Sequence, residues 1–300
     1  METAEKEQAL YEEGTRRLNV SGVLRILGVS RSGYHAFKRR CPSDREKRKE
    51  AIKTNIRHIY DASYQNYGAP KITQILQQQG ETIAEKTVGN YMREMGIQAQ
   101  YVKPYTVTTV GSTVSEELMN ILNGEFNPVE PNAVWCSDIT YIYTSKGFVY
   151  LTSIMDLYSR KIISWVLSTT LEAQWVIEAI TKAKAVRTID KPLILHSDRG
   201  IQYTCASYQE VTETGITTSY SKKAYPWDNA CIESFHALIK REWIHRFKIV
   251  DYNHAYRLVF TYIEAFYNTV RIHSHCGYLS PNQYEALYKK ELDSLCSQVC

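Results

Sequence analysis

The chain of 300 residues is 44% hydrophobic and 23% charged, with a formal net charge of +4. This length predicts two or three domains, and the composition is too apolar for a mainly disordered protein. The longest apolar runs, such as residues 148–151, are far shorter than the ~18 residues that span a bilayer, and the acidic N-terminus is unlike a signal peptide. The seven cysteines include no Cys-x-x-Cys pair. We therefore expect a cytoplasmic protein with reduced thiols, no structural zinc and no membrane association.

Positive charge is concentrated near the N-terminus, where residues 14–60 hold 13 Lys or Arg and three Asp or Glu. A basic block of this kind is typical of a nucleic-acid-binding surface, because each neutralised phosphate releases condensed counterions. A solvated helical face or a basic linker is the structural alternative.

Residues 14–45 are predicted to form a first helix-turn-helix. The apolar residues of 21–27 indicate a short helix that ends at Gly28, and Ser30 is suited to cap a second helix over 31–40. Tyr34 and Phe37 share one side of that helix. Its other side would present four residues to phosphates and base edges: Arg31, His35, Lys38 and Arg39.

Residues 46–100 are predicted to form a second helix-turn-helix. Gly68 and Pro70 separate its helices, and Thr82 with Glu85 has the spacing of a capping box for the last of them. That last helix has apolar residues at i, i+3, i+4 and i+7, namely Val88, Tyr91, Met92 and Met95. Two short helices around a glycine turn also occur in proteins that do not bind DNA, so the tandem arrangement beside the basic block is what favours DNA binding.

A larger domain is predicted to follow a linker over 101–127 that is rich in Thr, Val, Gly and Ser. Its first strands alternate with turns and indicate an antiparallel meander over 134–144, 148–157 and 161–167. A helix over 172–186 then precedes a buried parallel strand at 193–195. A second strand near 217–221 and a long helix over 229–246 complete a mixed α/β core spanning 128–246, followed by a helical extension over 247–288 and a polar tail over 289–300.

Three acids in this domain are candidate metal ligands. Asp138 lies inside an apolar strand, Asp198 follows the buried strand, and Glu233 lies in the first turns of the long helix. Carboxylate oxygens are hard ligands that favour Mg²⁺ or Mn²⁺, and three converging anions would repel one another without a cation. Lys240 lies seven residues after Glu233, on the same helical face, where it could hold a DNA phosphate.

Each of these acids also has a structural alternative. The chain has 32 acids, and a buried Asp can cap a turn or pair with an arginine such as Arg160 or Arg199. Asp156 is interpreted as a turn residue rather than a fourth ligand, and His196 as a packed or hydrogen-bonded histidine.

Several other side chains have two interpretations. Lys222, Lys223 and Trp227 lie in the loop before the Glu233 helix, where the lysines could contact DNA and the indole could stack on a splayed base or pack against the helix. Three other tryptophans of the domain are expected in its core: Trp135, Trp165 and Trp175. Three residues near the C-terminus suit either phosphate contacts or helix C-termini: Arg271, His273 and His275.

The residues around the three acids resemble those of a known family. Residues 196–203 (HSDRGIQY) and 221–235 (SKKAYPWDNACIESF) are similar to signatures of the IS-three family of bacterial insertion-sequence transposases, within the DDE integrase and transposase superfamily. So are residues 267–273 (YNTVRIH) and 277–281 (GYLSP), and residues 67–72 (YGAPKI) resemble that family's second helix-turn-helix. The matches extend over nearly the whole chain.

This resemblance implies a ribonuclease-H-like catalytic core, so the expected fold class is α/β: a mixed sheet flanked by helices, preceded by an all-α helix-turn-helix region. It implies a transposase that uses two Mg²⁺ ions per active site, or Mn²⁺ in their place, with Asp138, Asp198 and Glu233 as catalytic residues and metal ligands. Such an enzyme cleaves the terminal repeats of its element, joins them through a circular intermediate and uses the 3′-hydroxyl to attack target DNA. Lys240 corresponds to the family's basic residue seven positions after the Glu, and no covalent protein intermediate is expected.

The resemblance also implies partners. They are the terminal repeats, the target DNA and further copies of the chain in a synaptic complex, in the nucleoid of a bacterium. Such elements usually encode an upstream frame, carrying another helix-turn-helix and a coiled coil, that is fused to this part by ribosomal frameshifting. This chain has no sustained leucine heptads and resembles the downstream product, so we expect an upstream-frame partner or fusion.

Two other functions are compatible with the same residues. One is a ribonuclease-H-like nuclease without strand transfer, and the other is a catalytically silent DNA-binding regulator. The tandem helix-turn-helix units and the extent of the matches favour the transposase over the nuclease. The presence of all three acids favours it over the silent regulator.

Overall fold

The computed structural model describes residues 20–100, 119–222 and 226–299. The chain divides into two compact units, residues 1–56 and 57–300. Most of the predicted linker lies outside the described residues. In the described ranges, no helix combines the length and the apolar character needed to cross a membrane.

The first unit contains the two predicted short helices, α1 (Val20–Ile26) and α2 (Arg31–Lys38). Gly28 has a φ of +66°, which glycine adopts without strain, and the Ser30 hydroxyl accepts a hydrogen bond from the Gly33 N–H at 3.0 Å. Leu24 and Tyr34 form the buried core. Phe37 was expected on the side of Tyr34, but it is 45% exposed, whereas Tyr34 is buried with Leu24.

Helix α3 (Asp44–Ala62) begins with a capping box that the sequence analysis missed. The Ser43 N–H donates to the Glu46 carboxylate at 2.7 Å, and the Glu46 N–H donates back to the Ser43 hydroxyl at 3.3 Å. The capping box predicted at Thr82 is wrong. Helix α5 begins only after Ala84, so Ala84 rather than Thr82 is its N-cap, and the Ala84 side chain has no group that could cap the helix.

The helices of the second helix-turn-helix are α4 (Ala69–Gln78) and α5 (Glu85–Glu94). Gly68 caps α4, and Pro70 stands in its first turn, where a missing N–H costs nothing. Ile72, Leu76 and Val88 are fully buried and make its core.

Five strands form one sheet in the order β3-β2-β1-β4-β5. The first three pair antiparallel as the predicted meander: β1 (Val134–Thr144), β2 (Gly147–Asp156) and β3 (Ile162–Ser168). The other two lie parallel to β1 beyond it: β4 (Leu193–Ser197) and β5 (Ile216–Tyr220). This mixed sheet flanked by helices confirms the predicted fold class.

Helices cover both faces of the sheet. On one face, α6 (Ala173–Val186) and α7 (Ala206–Thr212) pack against a hydrophobic core that includes Trp135 and Ile154. Trp165 and Trp175, expected in the core, are only half-buried. Their indole N–H groups donate to the Glu264 carboxylate and the Thr170 hydroxyl.

The other face carries the helix of Glu233, α8 (Ala230–Glu242). It was predicted to continue to residue 246, but it ends at Glu242 because Trp243 leaves the helical conformation, with φ −139° and ψ −65°. A 3₁₀ turn (Ile244–Arg246) follows. Helix α9 (Tyr252–Phe260) then continues into a π-helix (Thr261–Tyr267), in which Tyr262, Ile263, Phe266 and Tyr267 are buried.

The helix-turn-helix residues beyond 57 are fastened to the catalytic domain. The Tyr67 hydroxyl accepts the Ile272 N–H at 3.0 Å, and the Arg246 guanidinium donates to the Tyr64 carbonyl at 2.7 Å. The Tyr64 ring packs edge-on against Trp243 with 4.8 Å between centroids.

The C-terminal segment is a helix, α10 (Pro281–Val299), rather than the predicted polar tail from residue 289. Its first half is held to the sheet by Glu285, which accepts a hydrogen bond from Arg187 at 2.6 Å, and by Tyr284, which stacks on Tyr158.

Candidate active site

The sheet places Asp138 and Asp198 side by side. Strands β1 and β4 are parallel and in register, and Ser137 pairs with Ser197. Asp138 follows Ser137 within β1, and Asp198 directly follows Ser197, the last residue of β4. Since side chains alternate along a strand, equivalent positions of two paired strands project from the same face. The two carboxylates therefore lie on one face of the sheet.

A tight turn orients the Asp198 carboxylate. Its Oδ1 accepts the Gly200 N–H at 2.9 Å. A Cβ at position 200 would lie 3.0 Å from the same oxygen, so a larger residue would require the carboxylate to shift by a few tenths of an ångström.

Helix α8 brings Glu233 to the same face. His236, three residues further along, donates from Nδ1 to Asp138 Oδ2 at 3.2 Å. Since residues i and i+3 share one side of a helix, Glu233 lies on the side of α8 that faces Asp138. All three predicted acids are therefore on one face of the sheet, on elements that are in contact.

The carboxylates affect one another electrostatically. Burial raises the pKa of Asp198, and the negative charge of Asp138 raises it further. Burial also raises the pKa of Glu233, followed by the charges of Asp138 and Asp198. The pKa values of Asp198 and Glu233 are therefore raised first by burial and further by the negative charges of their neighbours, so a nearby cation would favour their ionised forms.

The donor chemistry fits a hard divalent cation. Three carboxylates repel one another there, and among the described residues no arginine forms an ion pair with either aspartate. Oxygen donors of this kind are the preferred ligands of Mg²⁺ and Mn²⁺. In the described ranges, no group of three or more His, Cys, Asp or Glu side chains is already closed around a metal position. A bound cation would therefore have to draw these carboxylates together.

Lys240 lies further along α8. Its ammonium group is 4.4 Å from the centroid of the Tyr141 ring on β1. Burial lowers the pKa of Lys240, while the charge of Asp138 acts in the opposite direction. The lysine is therefore close enough to the site to be affected by its charge.

Two residues near the acids were missed by the sequence analysis. His236 is 5% exposed and bridges Asp138 to the Ser153 hydroxyl. Asp228 is 3% exposed and accepts hydrogen bonds from the Lys222 N–H and the Asn120 amide, which connects both residues to the start of α8. Hydrophobic periodicity could not identify either residue, because each is hydrogen-bonded to a partner about a hundred residues away or across a loop.

The segment before the catalytic domain also contacts this region. The Ser219 hydroxyl of β5 accepts the N–H groups of Ile121 and Leu122 at 3.0 and 3.1 Å. The described end of the predicted linker is therefore attached to the sheet.

The other candidate residues have varied surroundings. His196 is buried and hydrogen-bonded to Ser219 at 2.9 Å, as expected of a packed histidine. Asp156 accepts the backbone N–H groups of Asn132 and Tyr158, as expected of a turn residue, and burial raises its pKa to about 6. The Arg160 guanidinium donates to the Phe126 carbonyl.

The candidate DNA contacts differ in exposure. Four of them are exposed on α2 or directly after it: Arg31, His35, Lys38 and Arg39. Lys222 is also exposed, whereas Lys223 and the side chain of Trp227 lie outside the described part. Arg271 and His273 are buried, so they are not surface phosphate contacts. His275 is exposed, and its Nε2 donates to the Tyr158 carbonyl at 3.0 Å.

Three family models match this chain. Residues 128–226 match an integrase core domain, residues 214–281 match a second model of an integrase core domain, and residues 47–105 match an HTH-like domain. The first match contains Asp138 and Asp198, and the second contains Glu233.

Two solved structures share a distant likeness. A chain of the simian T-cell lymphotropic virus intasome, in complex with PP2A regulatory subunit B56 gamma, has a TM-score of 0.45 at 15% identity, over 77% of this chain and 74% of its own. The HTLV-2 integrase catalytic core domain in complex with magnesium has a TM-score of 0.40 at 18% identity, over 52% of this chain and 98% of its own.

Sequence relatives cover almost the full chain. Transposase InsF for insertion sequence IS3A of Escherichia coli K12 is 35% identical over 280 residues, which is 91% of this chain and 96% of the relative. An uncharacterized 31 kDa protein of insertion element IS600 from Shigella sonnei is 31% identical over 264 residues, 88% of this chain and 97% of the relative. The chain therefore belongs to the IS3 family of insertion-sequence transposases, and its integrase core domain is that of a DDE polynucleotidyl transferase.

Proposed function

We propose that Asp138, Asp198 and Glu233 hold the divalent ions that cleave and join the ends of an insertion sequence. The observation that carries this proposal is that β1, β4 and α8 bring three mutually repelling carboxylates to one face of the sheet. Two Mg²⁺ ions, replaceable by Mn²⁺, would activate the attacking oxygen and stabilise the leaving oxygen of an in-line phosphoryl displacement.

The protein groups have distinct parts in this reaction. Asp138 and Asp198 supply oxygen donors from the rigid sheet, and Glu233 supplies another from α8. Lys240 holds a DNA phosphate beside them, in reach of the same charges. None of these groups attacks phosphorus, so the reaction proceeds without a protein–DNA bond.

We further propose how the chain reads DNA. The exposed side of α2 contacts the terminal repeat through the residues named above, and Lys222, Lys223 and Trp227 contact the strand near the active site. The proposed domains are helix-turn-helix units at 14–45 and 46–100, a linker at 101–127, the catalytic core at 128–246 and a helical extension from 247, which α10 continues to Val299. Several copies act together in a synaptic complex on the terminal repeats and target DNA, with the upstream-frame product as partner or fusion, in a bacterial nucleoid.

The test is an end-nicking assay with the full-length protein, Mg²⁺ and a labelled terminal repeat, with and without the upstream-frame product. We expect the wild type to nick the element end, and Asp138→Asn to abolish nicking while DNA binding stays within about threefold. The substituted amide keeps the shape of Asp138 but loses its charge. Equal nicking by the wild type and the variant would disprove the assignment of the site.

A further inference from the structure

His236 connects three elements at one point. Its ring is 5% exposed, with Nδ1 at 3.2 Å from Asp138 Oδ2 and Nε2 at 3.2 Å from the Ser153 hydroxyl. A carboxylate can only accept hydrogen bonds, so Nδ1 is the donor to Asp138. One imidazole on α8 thus reaches both β1 and β2.

The sheet register explains why one ring can do this. Asp138 and Ser153 are direct partners across β1 and β2, so their side chains project from the same face. His236 spans this pair from above, and Glu233 lies one turn earlier on the same side of α8. The ring therefore sets both the direction of the Asp138 carboxylate and the position of the helix that carries Glu233.

Only one oxygen of Asp138 is used in this contact. Among the described residues, the carboxylate has no other hydrogen-bond partner than His236, which leaves Oδ1 available. Carboxylates that bind metals are commonly oriented by such hydrogen bonds, and loss of the partner typically weakens metal binding by ~10–100-fold.

We propose that His236 is a positioning residue for the metal site. It holds Asp138 Oδ2 so that Oδ1 is directed at the cation, and it holds α8 in place so that Glu233 faces Asp138. This inference rests on the proposed function of the three acids. It assigns no contact between His236 and the DNA, the ion or the reacting atoms.

The test compares three substitutions in the full-length protein. His236→Phe keeps the ring volume and removes both hydrogen bonds. His236→Asn keeps an amide donor close to the position of Nδ1, whereas His236→Gln moves it towards that of Nε2. His254→Phe on α9 is a matched control, because His254 also packs against an aromatic ring, that of Phe247.

Two quantities are measured for each variant. The first is the affinity for Mn²⁺ in the absence of DNA, from the electron paramagnetic resonance signal of the free ion. The second is the Mg²⁺ concentration that gives half-maximal nicking. We expect the Phe and Gln variants to weaken both by about 10–100-fold, and the Asn variant and the His254 control to stay within about threefold. If the Phe variant fails to fold, the difference in Mn²⁺ affinity between the Asn and Gln variants tests the inference.

Opposite results would overturn the inference. If the Phe and Gln variants bind Mn²⁺ as tightly as the wild type or more tightly, the ring does not support the site. If the Asn variant loses as much affinity as Phe, a donor at the position of Nδ1 does not support metal binding. The Asp138→Asn variant separates this inference from the proposed function. If Asp138→Asn still binds Mn²⁺ and nicks DNA, the proposed metal site is wrong. If Asp138→Asn is inactive while His236→Phe behaves like the wild type, only the role of His236 is wrong.

Discussion

Arg271 holds Glu242 in a buried two-point ion pair. Both hydrogen bonds measure 2.7 Å, and each side chain is 7% exposed. Tyr262 donates a further hydrogen bond to the same carboxylate at 2.8 Å. Burial would raise the pKa of Glu242, but the hydrogen bonds and charge of Arg271 outweigh it and lower the pKa. Because Glu242 is the last residue of α8, the pair anchors the catalytic helix from its far end.

Removing one partner of this pair should destabilise the protein strongly. Arg271→Met leaves a buried, unpaired carboxylate, which we expect to lower the free energy of unfolding by about 3–5 kcal/mol. Lys146→Met is the matched control, because Lys146 pairs with Asp251 at the surface and such pairs contribute less than ~1 kcal/mol. Chemical denaturation measures both, and equal losses would show that the buried pair is not structural.

Lys71 should make stability depend on pH. Its ammonium group lies over the Tyr67 ring. Burial and the charge of Arg271 lower its pKa to about 7, Glu242 opposes this, and Arg241 adds to it. The unfolded chain binds this proton more tightly than the folded protein. The resulting loss of folding stability is therefore fully present below pH 7 and is relieved as the pH rises towards 10.5.

Thermal melts of the wild type and Lys71→Met between pH 6.5 and 9 can test this. We expect the wild type to gain stability relative to the variant as the pH rises. Lys86→Met, at an exposed position of α5, should run parallel to the wild type. Parallel curves for Lys71→Met as well would contradict the prediction.

The repulsion among the acids should reduce the stability of the metal-free protein. Asp198→Asn removes one charge and keeps an oxygen that can accept the Gly200 N–H. Without metal, we therefore expect the melting temperature of this variant near pH 8 to be about 2–4 °C above that of the wild type. A shift of this size corresponds to a gain of ~1 kcal/mol in the free energy of unfolding for a domain of this size. Mg²⁺ should stabilise the wild type and not the variant. A lower melting temperature for the metal-free variant would mean that the carboxylates do not repel one another.

Lys240 should contribute one phosphate contact. We expect Lys240→Met to weaken binding to all DNA sequences alike and to reduce the slope of log affinity against log salt by about 1. Lys240→Arg should keep the slope, and Lys182→Met on α6 serves as control because Lys182 is paired with Glu178. An unchanged slope in Lys240→Met, measured by fluorescence anisotropy, would exclude this contact.

Much of the fold follows from local sequence patterns. Strand β1 was predicted with its observed ends, because Val134–Thr144 is rich in β-branched and aromatic residues and is bounded by a glycine turn. The buried apolar run of β4 likewise indicated a parallel strand. Asp138, within such a strand, could therefore be recognised as unusual before its neighbours were known.

The features that local sequence patterns did not predict depend on tertiary contacts. The end of α8 at Glu242 follows from Trp243 packing against Tyr64 and Phe266, not from a breaker residue. Arg271 looked like a surface cation, because its buried partner is 29 positions away. His236 could not be identified as a partner of Asp138 without the register of β1 and β2 beneath α8.

The most direct measurement of the central claim is anomalous X-ray diffraction from crystals of the full-length protein soaked in Mn²⁺. We expect anomalous peaks bounded by the carboxylates of Asp138, Asp198 and Glu233, and no such peaks in Asp138→Asn crystals. Ordered manganese elsewhere, with none between these three side chains, would contradict the account.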